Sequence, residues 1–118
     1  MVRPPYDLSA WKAAMVPVKE VYELTRTFPS EEMYGLISQM RRAAVSIPSN
    51  LAKGAARNGK KEFVQFLGVA KGSLSELETQ LLIATELGYF QREHEVFERL
   101  EEVSRLISGL QNSIQRTT

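Results

Sequence analysis

Apolar residues recur along the chain at alternating spacings of three and four, in four separate runs. That is the period of a helix burying one face. In the first run the stripe is Leu8, Trp11, Met15, Val18 and Tyr22, widened on one side by Val21 and Leu24. Pro17 lies within it. Proline removes a backbone hydrogen bond and crowds the preceding turn, so this helix is either kinked near residues 13–17 or begins at Pro17 after a looser turn. Thr27-Phe28-Pro29-Ser30 ends it. Ser30 is placed to cap the second helix, with Glu31 and Glu32 suiting its positive end.

The second run is Met33, Ile37, Met40, Ala44, Ile47 and Leu51, interrupted by Pro48. Pro48 should bend the helix and free the carbonyl of Ala44, with Ser46 and Ser49 beside the bend to satisfy it. Arg57-Asn58-Gly59-Lys60 reads as a turn in which Asn58 caps the third helix. The third run is Phe63, Phe66, Leu67, Ala70, Leu74, Leu77, Leu81 and Ala84, stopping at Gly88. Gly88 is a natural C′ glycine. Ser73-Leu74-Ser75-Glu76 fits a capping box, which leaves a break at Gly72 open, although one continuous helix is simpler. The fourth run is Val96, Leu100, Val103, Ile107, Leu110 and Ile114.

The second and third helices each cover about 28 residues, or roughly 40 Å. Matched lengths and short turns predict an all-α fold, an antiparallel up-down-up-down four-helix bundle over residues 8–116, with 1–7 as an N-terminal tail. No stretch alternates with period two long enough to form a sheet. Phe97 and Leu106 lie off the main stripe of the fourth helix, as do Val64, Val69 and Leu82 on the third. These second stripes point to self-association, with a wide core face as the alternative.

The length, 118 residues, is that of one domain, and its 43% apolar and 25% charged residues are ordinary for a globular protein. The absence of cysteine excludes disulfides, thiolate metal sites and a cysteine nucleophile, and favours the cytoplasm. No apolar run approaches the ~20 residues of a membrane span, and the first residues lack a signal-peptide core.

The net charge of +1 hides a polarity. Between residues 41 and 71 seven lysines and arginines face Glu62 alone; between residues 76 and 102 eight glutamates face Arg92 and Arg99. Such halves either match each other within or between subunits, or leave the basic half for an anionic partner.

Catalytic chemistry finds little to work with. His94 is the only histidine, and the residue three before it is Gln91, so the Glu-x-x-His pattern of di-iron bundles is missing. A hydrolytic triad needs a histidine between a nucleophile and an orienting acid, and no arginine precedes a histidine at ribonuclease-like spacing. The glycines form no phosphate-cradling loop. Gly68 and Gly72 form a small-x-x-x-small spacing that suggests close helix approach. Glu76, Glu78 and Glu86 read as solvated surface. A non-enzymatic protein with no cofactor and no metal is expected.

The basic cluster is the strongest functional candidate. Arg42, Ser46, Ser49, Lys53 and Arg57 recur at spacings of four, three, four and four, along one face of the second helix. Lys60 and Lys61 come next, at the start of the third, where free N–H groups also attract anions. With Arg41 and Lys71 these residues, Arg41, Arg42, Lys53, Arg57, Lys60, Lys61 and Lys71, are the candidate contacts to RNA or DNA phosphates. Arg42 and Arg57 come first, because a guanidinium holds phosphate bidentately. No aromatic platform for stacking bases is evident, since Phe63 and Phe66 fall on the apolar stripe. The alternative is a solvated or inter-subunit salt-bridged face, and a scaffold role in which that face assembles subunits.

Several stretches resemble one family. They are Phe28-Pro29-Ser30-Glu31-Glu32-Met33-Tyr34-Gly35-Leu36, the run Gln39-Met40-Arg41-Arg42-Ala43-Ala44-Val45-Ser46-Ile47-Pro48-Ser49-Asn50-Leu51-Ala52, residues 66–80, and Leu87-Gly88-Tyr89. Together they resemble the four-helix-bundle proteins encoded by intervening sequences of bacterial 23S ribosomal RNA genes, over about residues 11–114. The Arg-Arg-Ala-Ala-x-Ser-Ile-x-x-Asn run is the most specific part. The accessory proteins of diversity-generating retroelements are similar. The resemblance implies the bundle fold and a cyclic homo-oligomer, most simply a homopentamer. It also implies, by way of the retroelement proteins, nucleic acid and a reverse transcriptase as partners. One departure matters: the family usually has Glu before the glycine where this chain has Lys53 before Gly54. That makes the face more basic, or removes an ion pair that relatives use.

Overall fold

A computed structural model describes residues 8–57 and 59–116. The tail assigned to residues 1–7 and the cap assigned to Asn58 lie outside the described residues. Four α-helices run from Ser9–Thr25 (α1), Ser38–Ala55 (α2), Lys60–Glu86 (α3) and Val96–Arg116 (α4), and no strand occurs among the described residues. α2 packs most extensively on α3, α1 packs on both α2 and α4, and α3 packs on α4. No helix is long and apolar enough to cross a membrane.

The core follows the predicted stripes on three helices, save for Met33, which is exposed. Ile37, Met40, Ala44, Ile47 and Leu51 are buried, as are Leu67, Ala70, Leu74, Leu77, Leu81 and Ala84 on α3 and Val96, Leu100, Val103 and Ile107 on α4. Phe97 and Leu106 pack against the edge of this core, while Val69 is exposed. α3 is continuous through Gly72 and ends where expected, with Gly88 at φ 78°. Only a residue without Cβ adopts that angle readily.

The first helix corrects the expectation. Its inward line is Ala10, Ala14, Pro17, Val21 and Thr25, one residue before the predicted stripe and so rotated by about 100°. Trp11 and Val18 sit at the rim, and Met15 and Tyr22 are exposed. Small residues let α1 lie close to its neighbours, and the larger ones are turned to the surface. Pro17 stays inside one uninterrupted helix.

The second helix is shorter than predicted. Ser30 does not cap it; Ser30–Glu32 is a 3₁₀ turn and Met33–Ile37 a π-helical turn, with Gly35 at non-helical φ −113° and ψ −109°. The end of the bundle at this turn is closed by side chains from two connections. Glu32 accepts from Tyr89 Oη at 2.7 Å and from the Leu36 amide at 3.4 Å. The Phe28 ring lies 5.1 Å from that of Tyr89 and 6.2 Å from that of Phe90. Close helix approach occurs at Gly54, where an added Cβ would stand 2.8 Å from Phe66 Cβ. Gly68 and Gly72, which the spacing pointed to, have nothing within 4 Å of that position.

Candidate anion-binding groove

α2 carries its polar residues on two lines with different duties. One line turns inward to α3. Ser46 Oγ lies 2.8 Å from Ser73 Oγ, and Asn50 Nδ2 donates to the Ser46 carbonyl at 2.8 Å and to its hydroxyl at 2.9 Å. Asn50 and Ser73 are buried. Ser46 therefore ties α2 to α3, with Asn50 bonded to it from within α2, and Ser46 also lines the outer groove. Ile47 and Pro48 are buried beside them.

The other line faces outward. Arg42 and Lys53 are exposed, and both line a groove of about 400 Å³ with Tyr22, Arg41, Ser49 and Asn50. Eleven residues separate the two cations, which on a helix is three turns and about 17 Å. No carboxylate among the described residues lies within ion-pair distance of Arg42, Lys53 or Lys61.

Arg41 shares this groove with the pair but is also tied to α1, and the other candidates separate from it. Arg41 is half-buried and turned to the end of α1. Its Nε donates to Thr25 Oγ1 at 2.9 Å, its Nη2 to the Tyr22 carbonyl at 3.5 Å, and its guanidinium covers the Tyr22 ring at 4.6 Å. Arg57 stands past the end of α2, with Nε 4.0 Å from Glu62 and its guanidinium 5.4 Å from the centre of the Phe66 ring. Lys60 and Lys61 are exposed on the first turn of α3 beside it. Lys71 belongs to another face: its Nζ donates to Gln111 Oε1 at 3.3 Å, and it lines a cleft with Glu78 and Glu101 between α3 and α4. Spacing does not find Tyr22, because it places that residue on the core stripe.

A second groove, of about 330 Å³, adjoins the first and shares Val45 and Ser49 with it. Its remaining walls are apolar, from Trp11, Met15 and Val18 on α1 and Pro48 and Ala52 on α2. His94 lies at the foot of α4, where its Nδ1 accepts from the Val96 amide at 3.0 Å. It therefore serves as a helix cap in place of a side-chain oxygen. No group of three or more His, Asp or Glu among the described residues is arranged to hold a metal ion.

A comparison with curated protein sequences finds no match. The sequence model of the 23S rRNA-intervening sequence protein family matches residues 6–109. That span takes in the Arg41–Arg42 run, the Ser46–Asn50–Ser73 lock, Tyr89 and most of α4, and the chain belongs to this family.

Proposed function

We propose that the chain is a non-enzymatic binding protein whose α2 face holds nucleic-acid phosphates. One observation carries this reading: Arg42 and Lys53 stand exposed in one groove with no carboxylate partner among the described residues. Arg57, Lys60 and Lys61 extend the positive surface past the end of α2. A surface of this kind binds by charge, so affinity falls steeply with salt. The test is fluorescence anisotropy with structured RNA and duplex DNA at two salt concentrations. An Arg42→Ala, Lys53→Ala double variant is expected to weaken binding on every sequence and to flatten the salt slope by about 0.7–0.9 per cation removed. Unchanged affinity and slope would refute the assignment.

We further infer a homo-oligomer, supported by the apolar groove of Trp11, Met15, Val18, Pro48 and Ala52 and by exposed Val69, Ile83 and Leu87 on and just past α3. Assembly mass recorded in the same buffers tests this, including the pentamer that the resemblance implies. The scaffold reading, in which Arg42 and Lys53 pair with the glutamates of a neighbour, predicts an intact oligomer that binds no nucleic acid at low salt. We also infer the antiparallel up-down order of the helices. The α1–α2 and α3–α4 connections meet at one end through Phe28 and Tyr89, which supports it.

A further inference from the structure

We propose that the stacked pair Tyr22–Arg41 is a platform for an unpaired nucleobase, so that the groove takes single-stranded RNA or DNA in preference to duplex. The inference rests on the phosphate-binding reading of Arg42 and Lys53 and adds to it the class of nucleic acid bound. Tyr22 is 38% exposed and forms the α1 wall of the groove whose α2 wall carries the two cations. Its ring is covered by the Arg41 guanidinium at 4.6 Å. That guanidinium is fixed in turn by its bonds to Thr25 Oγ1 and the Tyr22 carbonyl. Ring and guanidinium therefore present planar surfaces whose orientation is set before any ligand arrives, and little side-chain freedom is lost on binding.

Bases of a single strand stack on aromatic rings and on guanidinium planes, whatever the base. A duplex keeps its bases in the stack and offers none to such a surface unless one is flipped out at a cost. Arg42 and Lys53, about 17 Å apart along α2, take phosphates several nucleotides apart on the same strand, while Ser49 and Asn50 form polar floor between them. Arg41 thus acts in the site by stacking and positioning, which its bonds to α1 permit, in place of the phosphate contact expected of it.

The test compares three end-labelled probes with equal numbers of phosphates: a single strand, the same strand with abasic sites at its central positions, and a blunt-ended duplex of half the length. The single strand is expected to bind roughly tenfold more tightly than the other two, the increment of one stacked base. Tyr22→Ala should bring the single strand down to the abasic level and leave the duplex unchanged. Tyr22→Phe should retain the preference, which shows that the ring is needed and the fold intact. Tyr34→Ala, at a side chain 97% exposed outside this groove, should change nothing. Equal binding of the intact and abasic strands, or a Tyr22→Ala variant that keeps the preference, overturns the platform and leaves the phosphate reading standing. No binding of any probe at low salt overturns both.

Discussion

The Arg41 guanidinium donates through Nε to the hydroxyl of Thr25 at 2.9 Å, and so ties the start of α2 to the last turn of α1. Thr25 is buried and itself donates to the Val21 carbonyl at 2.7 Å. One hydroxyl thus links a helix end to a cation sixteen residues on. Both adjacent arginines line the groove, and Arg41 is in addition tied to α1.

Removing the hydroxyl separates these roles. Thr25→Val keeps the shape and the β-branch but leaves Arg41 Nε without its partner. Hydrogen bonds to charged groups contribute about 1.5–3 kcal/mol, and partial exposure of Arg41 places the expected loss near the lower figure. Arg41→Ala should cost at least as much, because its cover of Tyr22 goes too, whereas Arg42→Ala should leave stability within about 0.5 kcal/mol. Urea unfolding of the three variants checks this; equal losses for Arg41→Ala and Arg42→Ala would contradict the division.

The Ser46–Asn50–Ser73 lock makes a second prediction. Asn50→Ala removes two donated bonds and leaves the Ser46 and Ser73 hydroxyls at a buried contact between α2 and α3. Each net hydrogen bond contributes about 0.5–1.5 kcal/mol. Asn50→Ala should therefore destabilise by roughly 2 kcal/mol, and Ser73→Ala by less, since Asn50 still satisfies Ser46. A double variant should lose less than the two single losses combined, because the three residues form one network. Additive losses would mean that the bonds act independently.

The lock also shows where spacing stops being informative. Period alone locates four helices, the end of α3 at Gly88 and nearly all the core of α2, α3 and α4, because large aliphatic side chains carry a strong periodic signal. It misplaces α1 by one residue because Ala10, Ala14 and Thr25 bury well yet carry little hydropathy, while Trp11, Met15 and Tyr22 carry much and face outward. Spacing puts Ser46 on the groove face but does not show its bond to α3, because its partner, Ser73, lies 27 residues away and no local pattern records it. The cations Arg42 and Lys53 are legible, since their face is a local property of one helix. Tyr22 is not, because its place in the groove depends on how α1 is rotated.

The glycines respond in opposite directions. At Gly54 a Cβ would meet Phe66 Cβ at 2.8 Å and the Phe63 carbonyl at 3.4 Å, neither of which is the flexible end of a side chain. Overpacking typically costs about 1–3 kcal/mol, which outweighs the gain of up to about 1 kcal/mol from replacing a helical glycine by alanine. Gly54→Ala should therefore be destabilising. Gly68→Ala and Gly72→Ala meet no neighbouring atom and should each stabilise the single chain by about 0.5–1 kcal/mol. Thermal unfolding decides the signs. A loss at Gly68 or Gly72, accompanied by a fall in assembly mass, would place the flat α3 face inside a subunit contact.

Glu20 supplies the pH dependence. Its Oε1 is buried without a hydrogen-bond partner, and its Oε2 is 3.9 Å from Arg99 Nε. Burial pushes its pKa above the ordinary glutamate range; Arg99 and His94 pull it down, and Glu95 and Glu23 add to the rise. The folded chain therefore holds this proton more tightly than the unfolded one. Its contribution to stability is complete below the unfolded pKa and is lost as pH rises through the folded value. Glu20→Gln keeps the shape and carries no charge at any pH. Urea unfolding of both proteins from about pH 4 to about pH 7 reads out the charge of Glu20 together with its coupling to the neighbouring charged groups. The difference in unfolding free energy should move in favour of the Gln variant as pH rises. Movement towards the wild type would mean that attraction to Arg99 outweighs burial and that Glu20 titrates below its ordinary range.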